Sequence, residues 1–244
     1  MQQTRPPQPP RGRWPKSVPP LTKEQEDARE AWMMLWHEQL PNKYGIAERF
    51  NNGFVTDLPV SPGSRTLEIG PGIGGHLEYE DLQRQDYHVL EMRDEFCKRL
   101  ASRLSPPQVH RGSIEERQAF ADGSFDRLIA IHVLEHLRNL PPAIAEAARL
   151  LRRGGHFDVV LPCEGGLAYS LARRISSKPM FEKHFNMSYD PIIKAEHVNQ
   201  LWEVNRELSK HFRVVVRKRF PLQIPIDTAN LIVGYRLVHK DVFP

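Results

Sequence analysis

The sequence predicts an α/β fold in which a central, mostly parallel sheet of seven strands carries helices on both faces. Three features lead there. Short apolar runs alternate with segments of helical period about every 30 residues, the rhythm of βαβ units. The first apolar run, Thr66–Ile69, feeds directly into a glycine-rich turn, Gly70-Pro-Gly-Ile-Gly-Gly75. Roughly 50 residues separate the fifth run from the sixth, far beyond an ordinary 2–6-residue connection, so an insertion sits late in the sheet.

The elements follow in order. Thr22-Lys-Glu-Gln25 is a capping box that opens a helix. Ala28, Ala31, Trp32, Leu35, Trp36 and Leu40 give that helix one apolar face, and Pro41 ends it. The block Tyr44–Phe54 closes on the turn-like Asn52-Gly53. Strands are expected at Thr66–Ile69, Tyr87–Glu91, Gln108–Arg111, Arg127–His132, His156–Leu161, Phe212–Phe220 and Asn230–Val238. Helices are expected at Gly74–Gln85, Arg93–Leu104, Leu134–Arg138 and Pro142–Arg152, with Leu167–Ile175 and Glu196–Lys210 inside the insertion. Residues 1–20 read as a disordered tail, 21–60 as an N-terminal helical cap, and 61–244 as the main domain, with 162–211 as a lid.

Composition narrows the function classes. A chain of 244 residues suits one large domain. No apolar run approaches the ~20 residues that span a bilayer, and the Pro-rich start is no secretory signal, so the cytosol is the expected setting. Cys97 and Cys163 cannot build a disulfide framework or a multi-cysteine zinc site. The formal charge is +4, but four of the 34 Lys and Arg fall in residues 1–20 with no acid. That leaves 30 bases against 30 acids, so the body lacks the footprint of a nucleic-acid binder. The expected form is a monomer or homodimer, with neither membrane nor nucleic acid as partner.

The glycine turn carries the chemistry. Glycine lets the backbone turn sharply and approach a ligand with no Cβ in the way. Gly70, Gly72 and Gly75 satisfy the dinucleotide spacing G-x-G-x-x-G, and Glu91 lies about 20 residues on, where a ribose-binding carboxylate belongs. Spacing alone thus implies a nucleoside-containing ligand and leaves NAD and S-adenosylmethionine (SAM) both open.

Four blocks separate the two. Glu68-x-Gly70-x-Gly72-x-Gly74 resembles motif I of the class I SAM-dependent methyltransferases, with the acid two residues before the first glycine. Glu91 falls at that family's ribose acid. Ala121-Asp-Gly-Ser-Phe-Asp126 with Leu128–Leu137, and Ala148–Phe157, resemble its fourth- and fifth-strand blocks. The resemblance implies a Rossmann-like class I methyltransferase fold with SAM as cofactor. Glu68 and the Gly70-Pro71-Gly72 to Gly74 backbone would hold the methionine end, and Glu91, next to Met92, the ribose. Ser113 and Ile114 would flank adenine, and His132 would line the methionine. Many relatives carry Asp where Ser113 stands; a hydroxyl there accepts a bond but holds no charge.

An enzyme of this kind aligns an acceptor lone pair with an activated methyl and removes the acceptor's proton. The insertion is rich in polar and aromatic groups suited to that. His197 is the first choice for a general base, with Glu196 orienting it, and His184 is the second. Tyr44, Cys163, Glu164, Tyr169 and Arg173 are expected to line the acceptor pocket. Glu135-His136 beside His132 hints at a metal site, but no third ligand stands at a matching spacing, so no metal is expected. The segment Leu161–Ser170, with Tyr44–Phe54, resembles bacterial methyltransferases of saccharide and secondary-metabolite gene clusters. That favours methylation of O or N on a saccharide, lipid-linked sugar or secondary metabolite. An NAD-dependent oxidoreductase, or a methyltransferase for RNA or protein, is the alternative.

Overall fold

The computed structural model describes residues 14–38, 45–105 and 108–240. Seven strands form one sheet: β1 Arg65–Ile69, β2 Asp86–Glu91, β3 Val109–Arg111, β4 Phe125–Ile131, β5 Leu151–Pro162, β6 Phe212–Phe220 and β7 Ile232–His239. Their order is β3-β2-β1-β4-β5-β7-β6. β1 to β5 pair in parallel, and β7 runs antiparallel to both β5 and β6. From β1 the chain winds outward through β2 and β3 to one side, then returns to β4 and β5 on the other. Loops leaving the carboxyl ends of β1 and β4 therefore diverge and open a crevice, where open α/β sheets bind ligands.

Both faces are covered. On one, Leu67, Leu90, Leu128, Phe157 and Val159 pack with the helices Leu140–Leu150 and Leu201–His211. On the other, Tyr87, Val89, Ile129 and Val160 meet Phe54 and Val55 of the helix Gly45–Thr56 and Leu100 of the helix Asp94–Leu100. Phe54 lies so close to β7 that a Cβ on Gly234 would stand 2.6 Å from its ring. Fully burying one such side chain contributes about 1.5–3 kcal/mol.

The second face also holds a chain of buried charges. Arg127, fully buried, reaches Glu80 at 2.9 Å, Asp158 at 3.1 Å and the Val55 carbonyl at 3.0 Å. Arg236 donates to both Asp158 oxygens, at 2.7 and 2.8 Å. His76 bridges Asn52 and Glu80, each at 2.9 Å.

In chain order the helices are α1 Lys23–Glu38, α2 Gly45–Thr56, α3 Asp94–Leu100, α4 Leu140–Leu150, α5 Leu167–Ile175, α6 Ser177–Phe185, α7 Asp190–Glu196 and α8 Leu201–His211. The capping box of α1 forms as expected: Thr22 N–H donates to Gln25 at 2.9 Å, and Gln25 N–H to Thr22 Oγ1 at 3.2 Å. Among the described residues no helix is long and apolar enough to cross a membrane.

Several expectations fail for physical reasons. Asn52-Gly53 is no turn: α2 runs through it, and the Asn52 amide serves the Glu48 carbonyl and His76 instead. The helix expected over 74–85 shrinks to one 3-10 turn, His76–Glu78, because Gly74 is left-handed (φ 82°) and His76 and Glu80 are drawn into the buried charges. The helix expected over 134–138 gives way to turns, since Asn199 Nδ2 takes the Leu134 and Leu137 carbonyls at 2.9 and 2.6 Å. The insertion builds four helices, not two, and the helix expected from Glu196 divides at a capping box between Gln200 and Glu203 that starts α8.

Residues 14–20 of the expected tail are placed on the domain. Trp14 Nε1 donates to Asn199 at 3.3 Å, Lys16 Nζ meets Glu203 at 2.5 Å, and Lys16 N–H donates to the Arg138 carbonyl at 2.7 Å. Residues 1–13 and Leu40, Pro41 and Tyr44 lie outside the described residues.

Candidate active site

The loop after β1 is shaped for close approach. Gly70, Gly72 and Gly74 hold φ of 64°, 59° and 82°, a region that residues with a Cβ rarely enter. A Cβ on Gly70 would lie 2.8 Å from Val133 Cγ2. Gly75 differs, with φ of −59° and nothing within 4 Å of a Cβ placed there. The backbone thus requires glycine at 70, 72 and 74 and does not require it at the third position of G-x-G-x-x-G. The dinucleotide fingerprint is a coincidence of spacing.

Glu91 ends β2 against this loop. Its Oε2 accepts from Gly72 N–H at 3.2 Å and its Oε1 from Arg93 N–H at 2.9 Å. Burial raises its carboxyl above the ordinary range. A carboxylate held on the glycine loop fits a ribose diol, and the loop without Cβ atoms fits a ligand that comes close to the backbone. Pro71 is buried in that loop, and Met92, beyond Glu91, is exposed. After β3, Ser113 Oγ accepts from Glu115 N–H at 3.2 Å, and Ile114 is buried in the core. Glu68 departs from the expectation. It points into the buried face, where Oε2 accepts from the Tyr87 hydroxyl at 2.9 Å, and burial raises its pKa. It fixes β1 to β2 beneath the loop, because residues 66 and 68 share a sheet face with 87 and 89.

Across the crevice, β4 ends at His132, which is held at φ 53°. A side-chain-bearing residue in that region stores strain that packing must sustain. His132 Nδ1 lies 3.2 Å from Glu135 Oε1. Burial opposes the charge on Glu135, but the His132 hydrogen bond and the nearby His136 and His197 hold its carboxyl down to about 2. The insertion delivers His197 to the same place, its ring centroid 4.9 Å from that of His136 with the planes at 89°.

The partner of His197 is Glu164, not Glu196. Glu164 Oε2 accepts from His197 Nδ1 at 2.7 Å, and Arg173 pairs with both Glu164 oxygens at 2.8 Å. Burial opposes the Glu164 charge, and His197 and Arg173 hold its carboxyl below the usual range. Glu196 instead faces His136 Nδ1 at 3.3 Å and Arg29 at 3.5 Å. Tyr169 stacks near His197 at 6.4 Å, and burial raises its phenol well above the ordinary value.

Two expected residues, Cys163 and His184, fall elsewhere, while Arg173 stays in the cluster on Glu164. Cys163 sits in the apolar core at 1% exposure, where burial pushes its thiol up to about 12, so it packs the core instead of facing an acceptor. Arg173 spends its charge on Glu164. His184 is exposed on α6 with its ring against Phe185 at 4.6 Å, away from His197. The fold adds Asn199 to this cluster and joins to it Glu135 and His136, which the sequence offers only as a hint of metal binding. The signal for Glu135 and His136 was their place after β4; no spacing links them to His197 on the insertion.

α1 spans the crevice. Trp32 packs against Phe181, Phe185 and Tyr189 of the insertion, at centroid distances of 5.3, 6.3 and 6.1 Å. Arg29 pairs with Glu196, while Glu38 pairs with Arg99 of α3 at 2.9 Å. The helix thus links the insertion to the helix that follows Glu91. A groove of about 550 Å³ lined by Asp122, Arg149, Lys210, His211 and His239 lies by the amino ends of β4 and β5, away from these loops.

Comparison with known proteins agrees with this geometry. Residues 67–159 match the model of a methyltransferase domain family. The chain is 29% identical over 111 residues to the sterol 24-C-methyltransferase of Schizosaccharomyces pombe, covering 42% of this chain and 29% of that protein. It spans less than half the length of the curated relatives it matches. Among solved structures, it resembles a Thermotoga maritima SAM-dependent methyltransferase described as a possible histamine N-methyltransferase, with a TM-score of 0.62, 18% identity and coverage of 88% and 99%. It also resembles a geranyl diphosphate methyltransferase in complex with GPP and sinefungin, with a TM-score of 0.58, 15% identity and coverage of 90% and 99%. The matched stretch begins in β1 and ends in β5, so the 70-72-74 glycine loop and the acid at the end of β2 both lie inside the segment that is similar to a methyltransferase domain, and the fold is that of solved SAM-dependent methyltransferases.

Proposed function

We propose that the protein transfers a methyl group from SAM to an oxygen or nitrogen of a small molecule, with a saccharide, lipid-linked sugar or secondary metabolite as the acceptor class. The observation that carries this reading is the convergence of two constellations on one crevice. The three-glycine loop and Glu91 stand at the ends of β1 and β2. His132 stands at the end of the adjoining β4, joined through Glu135 to the side where His197 meets Glu164.

When bound, SAM supplies a methyl already activated on sulfur. The chain's own residues do the rest. Gly70, Gly72 and Gly74 let the ligand reach the backbone, Glu91 receives the ribose hydroxyls, Ser113 and Ile114 flank the base, and His132 borders the methionine end. Glu68 contributes from below by fixing the strand that carries the loop. On the acceptor side, Glu164 fixes the ring of His197, and that pair acts on the acceptor's proton. Help of this kind with a proton contributes about 10²–10⁴ in rate. α1 and the insertion exclude water from the crevice. The balance of 30 bases and 30 acids outside the first 20 residues favours a small acceptor over a nucleic acid. The sterol methyltransferase among the relatives carries the name of a small-molecule acceptor.

Calorimetry with SAM, S-adenosylhomocysteine and NAD tests the cofactor. Binding of the first two and not the third is expected, and binding of NAD alone overturns the reading. Mass spectrometry of cell extract incubated with enzyme and isotopically labelled SAM then identifies the acceptor. Label appearing only on RNA or protein overturns the small-molecule class.

A further inference from the structure

The cluster beside His132 has the groundwork of a metal site. His136 Nδ1 lies 2.9 Å from the Glu196 carbonyl, which only accepts, so Nδ1 carries the hydrogen and the neutral ring offers its Nε2 lone pair to a metal. His197 Nδ1 faces the Glu164 carboxylate at 2.7 Å, so its Nε2 is free in the same way. A ring N–H given to a carbonyl or carboxylate is the usual backing of a metal-binding histidine, since it fixes both tautomer and ring direction. The third group is Glu135, 2% exposed, whose Oε2 is buried with no hydrogen-bond partner. Leaving a buried carboxylate oxygen unpaired is costly. One ligand atom from each of Glu135, His136 and His197 lies within 4.8 Å of the others.

The backbone holds these groups together from distant parts of the chain. Val198 and Asn199 N–H donate to the Glu135 carbonyl at 2.9 and 3.0 Å, and the Asn199 amide binds the Leu134 and Leu137 carbonyls. The insertion is stapled to the turn after β4 at the point where the three side chains meet. Bonds of about 2.0–2.2 Å in tetrahedral array need ligand atoms about 3.4 Å apart. Rotation of the unanchored side of Glu135 and a small inward shift of the two rings supply the closure.

We propose that Glu135, His136 and His197 form a two-histidine, one-carboxylate site for a divalent transition-metal ion, zinc in the first instance. Two imidazoles favour zinc over magnesium, and the core position of Cys163 leaves the set without a thiolate. Three protein ligands leave a position open. The inference deepens the functional reading and rests on it for the ion's role: an acceptor hydroxyl in the open position has its pKa lowered. In the transfer, the acceptor oxygen bonds to the methyl carbon as the carbon–sulfur bond breaks with its electron pair returning to sulfur, and the hydroxyl proton leaves to solvent. His197 then acts on the acceptor through the ion.

The test uses the full chain, stripped by chelator and titrated by calorimetry with Zn²⁺ and separately with Mg²⁺. One Zn²⁺ per chain is expected, with no comparable binding of Mg²⁺. Glu164→Gln should weaken Zn²⁺ binding about 10- to 100-fold by removing the carboxylate behind His197. Glu135→Gln, His136→Ala and His197→Ala should weaken it further. S-adenosylhomocysteine binding by each variant reports that the fold and cofactor site persist. No stoichiometric Zn²⁺ binding, or undiminished binding in all four variants, overturns the metal site while leaving methyl transfer intact. Failure of the unaltered protein to bind S-adenosylhomocysteine overturns the methyl-transfer reading independently of the metal result.

Discussion

Glu164 receives the Nδ1 hydrogen of His197 at 2.7 Å while both its oxygens are paired with Arg173. The carboxylate is therefore ionised and fixed from two sides, and it decides which nitrogen of His197 faces the crevice. Glu164→Gln keeps the shape and removes the charge. Turnover should fall about 10- to 100-fold, while affinity for S-adenosylhomocysteine stays near that of the parent. Steady-state kinetics and calorimetry on the same preparation check this. Full turnover in the variant would remove Glu164 from the mechanism.

Glu91 predicts the opposite division. Its two oxygens already serve the Gly72 and Arg93 amides, so the carboxylate both shapes the loop and offers acceptors to a diol. Hydrogen bonds to a charged group contribute about 1.5–3 kcal/mol each, so Glu91→Ala should weaken SAM binding about 10- to 100-fold. Calorimetry gives the affinity directly. An unchanged Kd would mean that the ribose lies elsewhere.

The seven strands and the glycine loop were legible because each depends on local pattern: apolar runs with turns between them, and a backbone that only glycine satisfies. The helix expected after Gly74 was not, because His76 and Glu80 spend their side chains on Asn52 and Arg127, partners far along the chain. The same limit explains the error over His197. Glu196 is its neighbour in sequence, but the chain turns at His197 (φ −94°, ψ 81°) and sends the two side chains apart, toward Glu164 and His136. Cys163 was misplaced for a related reason. β5 continues to Pro162, so the thiol follows the strand into the core instead of entering a loop.

Burial of Cys163 yields a chemical prediction. A thiol pushed up to about 12 holds almost no thiolate at neutral pH, and at 1% exposure it is out of reach. Cys97 is the more accessible of the two. Iodoacetamide at pH 8 should label Cys97 and spare Cys163 until denaturant is added, as read by peptide mass spectrometry. Cys163→Ala should keep its catalytic rate and lose about 1 kcal/mol of stability, the scale of a small deletion in a packed core. Loss of turnover in a variant that remains folded would restore Cys163 to the site.

The buried charges beneath the sheet set the response to acid. His156 lies 3.7 Å from Asp158, and its Nε2 has no hydrogen-bond partner. Burial, with Arg236 and Arg127 nearby, lowers its pKa from 6.5 to about 4 although Asp158 pulls upward. Above pH 6.5 the imidazole is neutral in both folded and unfolded chains and adds no pH dependence. Between 6.5 and 4 the unfolded chain binds the proton first, so stability falls across that window, by on the order of 1–3 kcal/mol. Glu80 adds a second loss at lower pH. Burial opposes its charge, but His76 and Arg127 hold it at about 2 against 4.5, so its contribution fades from 4.5 downward. His156→Leu removes the first limb and leaves the second, because an apolar group there forfeits no hydrogen bond from Nε2. Urea unfolding at intervals from pH 7 to pH 4 separates the two limbs: between 6.5 and 4.5 the parent loses more stability than the variant, and below 4.5 both share the Glu80 loss. An equal slope in both proteins between 6.5 and 4.5 would trace the acid sensitivity to another group.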